Sequence, residues 1–444
     1  VSDPKNVNFS RRDLLRGTAG VVAGVALTGS ASAAPQYSKR RKKSERLRFG
    51  IIACGGKGWS GMMAAAAHGD IAAVCDIDVT ARTKAMMEFP RATAFEDYRE
   101  MIDAMKNDLD AVVVSTPDHH HAPASALSMK AGLHCYCEKP LARTIWEVRE
   151  LSKIAKAKRV ATQMGNQSTA STPMRKVAKL IRDGHFGQVK EVYLWTDRAG
   201  GWWKQGHRRP APTEAPKIIN WETWLGPRPE RPYAEGYHPF AWRGYWDFGT
   251  GSLGDMGCHI FNMPFMALGL KDPISVQAKT SGHNRDSFPA WVNVTYEFGA
   301  RGDRGPLTLN WYDGGQKPPT SIAPGVEYQG NGVLVVTEKG TIYSPNEFNA
   351  EFKLLDGSEM PDVEVVESPG HMAEFAAACQ GGPPAVSNMP NYSGPLTELV
   401  LLGNLAIWAD GPRLEWDARN MKVKGSTEYD SLIHPEFRPD WALV

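Results

Sequence analysis

The stretch Leu47-Arg48-Phe49-Gly50-Ile51-Ile52-Ala53-Cys54-Gly55-Gly56-Lys57-Gly58 decides the fold of this chain. An apolar run gives way to residues with little or no side chain, and an alanine-rich helical segment follows over 61–68. Strand, tight turn and helix bring backbone N–H groups and the positive end of a helix dipole to one point, which suits a phosphate. Read as A-x-G-x-x-G, the small residues Ala53, Gly55 and Gly58 leave room for a pyrophosphate, with Gly56 and Lys57 beside it. Alanine stands where the fingerprint usually has its first glycine. The next apolar run, 71–75, ends in Asp76, close to the spacing of about 20 residues at which a carboxylate meets a ribose diol. Such a carboxylate repels a 2′-phosphate and favours NAD over NADP. Asp78 adds to the repulsion, whereas Arg82 is the nearby residue able to receive that phosphate.

Working outward, the runs 111–115 and 133–137 also end in polar chemistry, at Thr116-Pro117-Asp118 and Glu138-Lys139-Pro140. Helices are expected between them at 80–88, 95–106 and 122–131, and a helix at 145–156 with a strand at 159–164 closes the unit. This alternation predicts a doubly wound parallel sheet over residues 47–165, with ligands beyond the carboxyl ends of its strands. Thr116, Pro117, His119, Glu138 and Lys139 therefore fall among the cofactor-facing residues. His119-His120-His121 is expected as a loop near the nicotinamide, with His121 facing the site.

Past Asn166 the texture changes. A helix at 174–183 and a strand at 189–196 lead into a tryptophan- and proline-rich excursion over 202–248. Strand-like segments follow at 274–279, 291–297, 307–311, 333–338 and 340–343, with few helices between them. These predict an α+β domain, residues 166–410, with an open, mainly antiparallel sheet. Helices at 371–379 and 395–408 should pack back on the body, and 411–444 reads as an irregular surface tail.

Taking a hydride from a secondary alcohol requires a group that accepts the hydroxyl proton. Lys139 follows a buried strand on the cofactor side, where desolvation favours the neutral amine. Asp255 and His259 stand at i and i+4, one face of a helix, where a carboxylate would orient an imidazole and raise its basicity. A metal at that pair would require a third ligand that the sequence does not supply, so no metal is expected. Tryptophans of the excursion, Trp203 among them, are expected either in the core or stacked on a sugar face, and Arg208 and Arg243 are candidates to bind its hydroxyls or a carboxylate.

With 444 residues, 42% hydrophobic and 23% charged, the chain exceeds one ordinary core and describes a soluble two-domain protein. A net charge of +2 argues against nucleic acid as a partner. The dense basic run Lys39-Arg40-Arg41-Lys42-Lys43 falls in a linker, 34–46. Residues 1–33 resemble a twin-arginine signal: Ser10-Arg11-Arg12-Asp13-Leu14-Leu15-Arg16, a weakly apolar stretch over 17–29, then Ala31-Ser32-Ala33 as a cleavage pattern. The apolar stretch is shorter than the roughly 20 residues that span a bilayer, so no stable membrane anchor is expected. Export through the twin-arginine machinery to the periplasm follows, with cofactor loaded beforehand and kept. The six cysteines show no CxxC pair and read as buried thiols.

These residues together resemble the glucose-fructose oxidoreductase and inositol dehydrogenase superfamily (Gfo/Idh/MocA). The likeness rests on the glycine loop, Asp76, the Thr116 to His121 run, Glu138-Lys139-Pro140, Gly165-Asn166-Gln167, the Trp246 to Gly251 run and the Asp255/His259 pair. It implies an N-terminal Rossmann domain, a C-terminal open-faced sheet, tightly held NAD(P) touched also by Gln167, and homo-oligomers (dimers or tetramers) built through that sheet. It further implies Lys139 contacting the reacting hydroxyl, His259 as general acid/base, Asp255 orienting or relaying, and a carbohydrate or cyclic polyol as substrate. Asn262 departs from the pattern, since many members carry an aspartate there.

Overall fold

The computed structural model describes residues 46–443. The expected signal segment and nearly all of the basic linker lie outside the described residues. Strands β1 (Leu47–Ile52), β2 (Gly69–Cys75), β3 (Thr93–Phe95), β4 (Ala111–Val114), β5 (His134–Cys137) and β6 (Thr162–Met164) form a six-stranded sheet in the order β3-β2-β1-β4-β5-β6. Every neighbouring pair is parallel. The order reverses between β1 and β4, the switch point at which such sheets open a ligand crevice. Burial on both faces explains the unbroken apolar runs: in β4, Ala111 and Val113 enter one apolar cluster, Val112 and Val114 the other.

Helices α1 (Lys57–Ala66), α2 (Val79–Glu88), α3 (Tyr98–Met105), α4 (Asp118–Lys130) and α5 (Ile145–Lys158) connect these strands. Asp78 caps α2 by accepting from the Thr80 and Ala81 N–H groups, and Thr144 with Glu147 forms a capping box on α5. Two local expectations change. Asp97 caps α3 through the Arg99 N–H, so that helix begins at Tyr98, leaving Phe95 to the short β3. The three histidines lie in the first turns of α4, not in a loop, because Pro117 stands at its N-cap.

The second unit holds α6 (Thr172–Arg182), β7 (Val189–Trp195), the short α7 (Gly200–Trp203) and α8 (Trp221–Leu225), then α9 (Gly251–Ile260) and α10 (Asn262–Leu268). Strands β8 (Ser275–Thr280), β9 (Val292–Phe298), β10 (Leu307–Tyr312), β11 (Gly332–Thr337), β12 (Gly340–Ser344) and β13 (Lys353–Leu354) follow, then α11 (His371–Cys379) and α12 (Gly394–Ala409). With β14 (Leu414–Asp417) and β15 (Lys422–Val423) they make a nine-stranded sheet, β13-β12-β11-β7-β10-β9-β8-β14-β15. Only β7 and β10 run parallel in it; the other pairs are antiparallel. Along β10, Leu307, Leu309 and Trp311 are buried while Thr308, Asn310 and Tyr312 are less so, which is the alternation of a sheet covered mainly on one side. Helix α12 lies across β8 and β9 on the covered side.

Two chain returns tie the units together. Met372 and Phe375 of α11 enter the same apolar cluster as Phe49 and Val74 of the parallel sheet. The expected irregular tail is instead a built element: β14 extends the second sheet through β8, and Trp416, Tyr429, Ile433, Trp441 and Leu443 are buried. Trp441 carries the Arg99 guanidinium 3.9 Å above its ring and meets Tyr98 edge-on. All six cysteines are buried free thiols. Among the described residues no helix is long and apolar enough to cross a membrane.

Ala53 sits at φ +69°, a left-handed conformation that costs a residue with a Cβ roughly 1–2 kcal/mol. Ala53→Gly removes that strain at some cost in chain entropy, so urea unfolding should show a gain of up to about 1 kcal/mol. A loss of stability would show that the Ala53 methyl packs more favourably than its backbone is strained.

Candidate active site

The glycine loop is closed by backbone bonds from Ala53 N–H to the Cys75 carbonyl (2.8 Å) and from Gly58 N–H to the Gly55 carbonyl (2.8 Å). A Cβ on Gly58 would stand 2.0 Å from the Ala53 carbonyl oxygen, so only glycine fits there. At Gly56 a Cβ would meet nothing within 4 Å, the open space that a pyrophosphate would take. Asp76 braces the loop: one carboxylate oxygen accepts from the Cys54 (2.7 Å) and Gly55 (3.2 Å) N–H groups, the other from Asp78 N–H (2.9 Å). Burial raises its pKa, and these three backbone donors oppose the rise. Arg82 gives Nη1 to the Asp76 carbonyl (2.5 Å) and stands 3.7 Å from Glu96, so it is committed to the protein, which supports NAD over NADP.

A cavity of about 610 Å³ runs from this loop and Asp76 past Thr116 and Pro117 to Arg243. Its far wall comes from the excursion of the second unit, through Trp224, His238, Phe240 and Trp242. The excursion is fastened to the parallel sheet by an Asp78/Ile219 bridge, a Val79 N–H to Ile218 carbonyl bond (3.0 Å), and Asn220 Nδ2 on Glu96 (2.6 Å). Ser115 Oγ and Thr116 Oγ1, at the β4 end, are buried without hydrogen-bond partners. The open glycine cradle and these unpaired hydroxyls fit a dinucleotide.

At the end of β5, Glu138 lies against Gly165, where a Cβ would collide with its carboxylate at 2.4 Å. Gln167 Nε2 donates to Glu138 Oε1 (3.0 Å), Lys57 Nζ stands 3.5 Å away, and Oε2 is left without a partner. Lys139 precedes a cis Pro140, and its ammonium is held by the Asp255 carboxylate (2.7 Å) and carbonyl (2.8 Å). Arg243 adds a second cation 3.6 Å from the same carboxylate oxygen. Burial disfavours the Asp255 carboxylate, but Lys139 and Arg243 outweigh it and hold the carboxyl below its ordinary range. Lys139 thus meets a carboxylate partner instead of the apolar setting expected for it.

The Asp255–His259 pairing does not form. Both residues share a face of α9, yet the carboxylate is taken by Lys139, and His259 Nδ1 is buried with no hydrogen-bond partner. Burial, then the Lys139 charge, push the His259 pKa down to about 3, so the ring is neutral at physiological pH. Asn349 Nδ2 holds the His259 carbonyl (3.2 Å), and the Phe348 ring meets the imidazole edge-on at 5.4 Å. The end of β5 and helix α9 thus bring together a lysine held by a carboxylate and a neutral imidazole, and neither side chain is part of the wall of the cavity described above.

The remaining candidates fall as follows. His119 does not line the cavity: its Nε2 donates to the Trp224 carbonyl (2.8 Å) and its ring packs on Trp224 and Phe248. His121 sits between the Pro140 (2.5 Å) and Thr116 (2.8 Å) carbonyls, supporting the Lys139 turn from behind instead of facing the site, and His120 is the one that reaches the cavity wall. Trp203 is 2% exposed and belongs to the core, and Arg208 is exposed and outside the cavity wall. Large rings go where most apolar area is removed from water, and Trp203, not its neighbour Trp202, points that way.

Sequence reasoning missed Asp118 as a site residue. It is buried, accepts from Thr250 Oγ1 (2.5 Å) at the start of α9, and is pushed up to about 7 by burial. The Thr-Pro-Asp ending of β4 was the available signal. Asn262, the departure from the family pattern, accepts from Tyr392 OH (2.6 Å) and Asn166 Nδ2 (3.3 Å) in a buried network at the start of α10. Among the described residues no group of three or more His, Cys, Asp or Glu converges to hold a metal.

Because folded His259 stays neutral while an unfolded histidine protonates near 6.5, its contribution to stability is present above that pH and lost as pH falls toward 3. His259→Gln abolishes this loss. Between pH 7 and pH 5 the stability difference between wild type and variant should move by about 2 kcal/mol in favour of the variant. Urea unfolding at the two pH values checks it, and an unchanged difference would place the ring in water.

Residues 47–166 match the model described as oxidoreductase family, NAD-binding Rossmann fold, and residues 170–305 match that of the oxidoreductase family C-terminal alpha/beta domain. The chain is 32% identical over 206 residues to a glycosyl hydrolase family 109 protein of Saccharopolyspora erythraea, and 27% identical over 206 residues to an alpha-N-acetylgalactosaminidase of Shewanella oneidensis. Each match spans 41% of this chain and 44% of the relative, less than half its length. In fold, the chain resembles the WlbA dehydrogenase of Bordetella pertussis in complex with NADH and UDP-GlcNAcA, with a TM-score of 0.61 at 18% identity over 84% of this chain and 99% of that one. It also resembles an inositol dehydrogenase homolog of Azotobacter vinelandii complexed with NADH and myo-inositol, with a TM-score of 0.58 at 15% identity over 85% of this chain and 100% of that one. The glycine loop that opens the parallel sheet and the helix that carries Asp255 and His259 fall in two consecutive domains of one family, and the chain belongs to the Gfo/Idh/MocA oxidoreductases, with an NAD-binding Rossmann domain at its N-terminal side.

Proposed function

We propose that this protein is an exported NAD-dependent oxidoreductase that moves a hydride between a retained nicotinamide and a secondary hydroxyl of a sugar or cyclic polyol. The observation that carries the reading is a pair of groups from two elements: the Lys139 ammonium after β5, fixed by Asp255, and the neutral His259 imidazole on α9 with an unpartnered Nδ1. Bound NAD supplies the hydride acceptor. Lys139 donates a hydrogen bond to the substrate oxygen, and His259 takes the hydroxyl proton as the carbinol C–H bond breaks and its hydride leaves. In the reverse direction the imidazolium returns that proton. Exposed Trp202 and Phe348 on the second unit give apolar faces for a ring substrate.

The excursion that walls the cofactor cavity supports retention of the nucleotide. A retained cofactor must be restored by a second substrate, and export of a loaded enzyme through the twin-arginine route to the periplasm accords with such a closed cycle. Assembly of copies through the open face of the nine-stranded sheet belongs to the same proposal. A second reading is favoured by the matches to glycosyl hydrolase family 109 and the alpha-N-acetylgalactosaminidase: transient oxidation acidifies a neighbouring C–H, the aglycone is eliminated, and the hydride returns with no net redox change. Lys139 in an intact Glu-Lys-Pro turn favours the first reading.

Denaturing the purified protein should release about one NAD or NADH per chain by mass spectrometry. Adding a reactive sugar should raise absorbance at 340 nm to one equivalent of reduced cofactor per chain and no further, and a carbonyl acceptor should then return it to baseline. Lys139→Ala should keep the nucleotide and lose at least about 100-fold in the rate of that rise. Protein that neither carries nor binds nicotinamide would overturn the reading. Release of 4-nitrophenol from an N-acetyl-α-galactosaminide without net NADH would establish the second one.

A further inference from the structure

A second cavity, about 360 Å³, lies apart from the cofactor cavity, where the end of α12 and the C-terminal segment meet the turn after Lys139. Its wall includes Arg143, Arg228, Arg285, Asn404 and the rings of Trp246 and Trp408. Arg228 is anomalous. Its side chain is only 15% exposed, its Nε is buried without a partner, and its nearest carboxylate, Asp247, is 3.9 Å away. Asp247 is already engaged by Arg231 and by Arg209 at 3.0 Å. The Glu147 carboxylate nearby serves as a helix cap, accepting the Arg143 and Thr144 N–H groups. The remaining acid of the wall is the exposed Glu436.

A guanidinium has five donors in a rigid fork, and taking it out of water without filling them is costly. Here three arginines border one cavity, and Asp247 and Glu147 are spent elsewhere. Arg143 gives one nitrogen to the Trp246 carbonyl (2.6 Å), and Arg285 gives one to the Trp408 carbonyl (2.8 Å) while its guanidinium lies 4.4 Å over the Trp408 ring. The other nitrogens of both forks remain for a ligand. Burial, with Arg143 next to it, brings Arg228 down to about 9, a tension that a bound anion would relieve. Trp246 and Trp408 meet edge-to-face at 5.0 Å and supply an apolar wall beside the cations.

We propose that this cavity is a second ligand site, for a small molecule carrying a carboxylate or a phosphate, with the anion on Arg228, Arg143 and Arg285 and the body of the ligand against Trp246 and Trp408. The site does not depend on the redox reading of the first cavity.

The test is calorimetric titration of the full chain, saturated with NAD so that the glycine loop is filled, at constant ionic strength in chloride. Inorganic phosphate and glucuronate are the two probes, one for each anion class. At least one should bind saturably at one site per chain, at sub-millimolar Kd. Arg285→Gln, an exposed change, should weaken it at least tenfold, and Arg228→Gln should abolish it, with melting curves verifying that both variants fold. Should Arg228→Gln fail to fold, Arg285→Gln and Arg143→Gln carry the test. The proposal is overturned if neither probe binds saturably, or if folded variants bind as tightly as wild type.

Discussion

The ion pair between Lys139 and Asp255 is the constraint on which the site depends. It joins the carboxyl end of a parallel strand to a helix of the second unit, across 116 residues of sequence. Both side chains are mostly buried, so each is tolerable only while the other is present; removing one partner of such a pair leaves a charge with no solvent to receive it. Arg243 and the Asp255 carbonyl complete the arrangement. Because the carboxylate is bonded to Lys139, no hydrogen bond ties it to His259, and burial with the Lys139 charge outweighs the pull of Asp255 and keeps the ring neutral. On the proposed reading, proton transfer and oxygen binding are thereby divided between two residues.

Around that pair, the closure of the cofactor cavity comes from a part of the chain that belongs to the other unit. The excursion crosses to the loop after β2, and the C-terminal segment fastens it in turn: Arg438 pairs with Glu222 and reaches the Gly226 carbonyl at 3.3 Å. Trp221, Trp224, Tyr237 and Phe248 pack among themselves beneath it. A wall made of a packed aromatic cluster is stiffer than a bare loop, since each ring excludes water from the next. Enclosure of the dinucleotide and rigidity of the wall share one cause.

Much of this was legible in the sequence, for physical reasons that also mark where it stops. Parallel strands buried on both faces announce themselves as unbroken apolar runs, and their polar endings at Asp76, Thr116 and Glu138 mark the carboxyl edge of the sheet. The fold of the second unit could be read from strand-like segments with few helices between them. By contrast, β3 is three residues long and partly exposed, with no run to betray it. The C-terminal segment is apolar only at scattered positions, which are buried against surfaces built elsewhere. Helical spacing correctly put Asp255 and His259 on one face, but it carries no information about a competing lysine far along the chain. Trp202 and Trp203 are adjacent and chemically identical, and which one enters the core is decided by the direction of a single turn of helix.

The central claim is that a carbon-bound hydrogen of the substrate passes to a nicotinamide held beside Lys139 and His259. Incubating the purified protein with pyranoses deuterated at every ring carbon, then denaturing it and weighing the released nucleotide, tests this most directly. The account predicts reduced cofactor one mass unit heavier than its unlabelled form with at least one sugar, and no such shift in Lys139→Ala. A reactive sugar that is converted while the nucleotide stays unlabelled would contradict it.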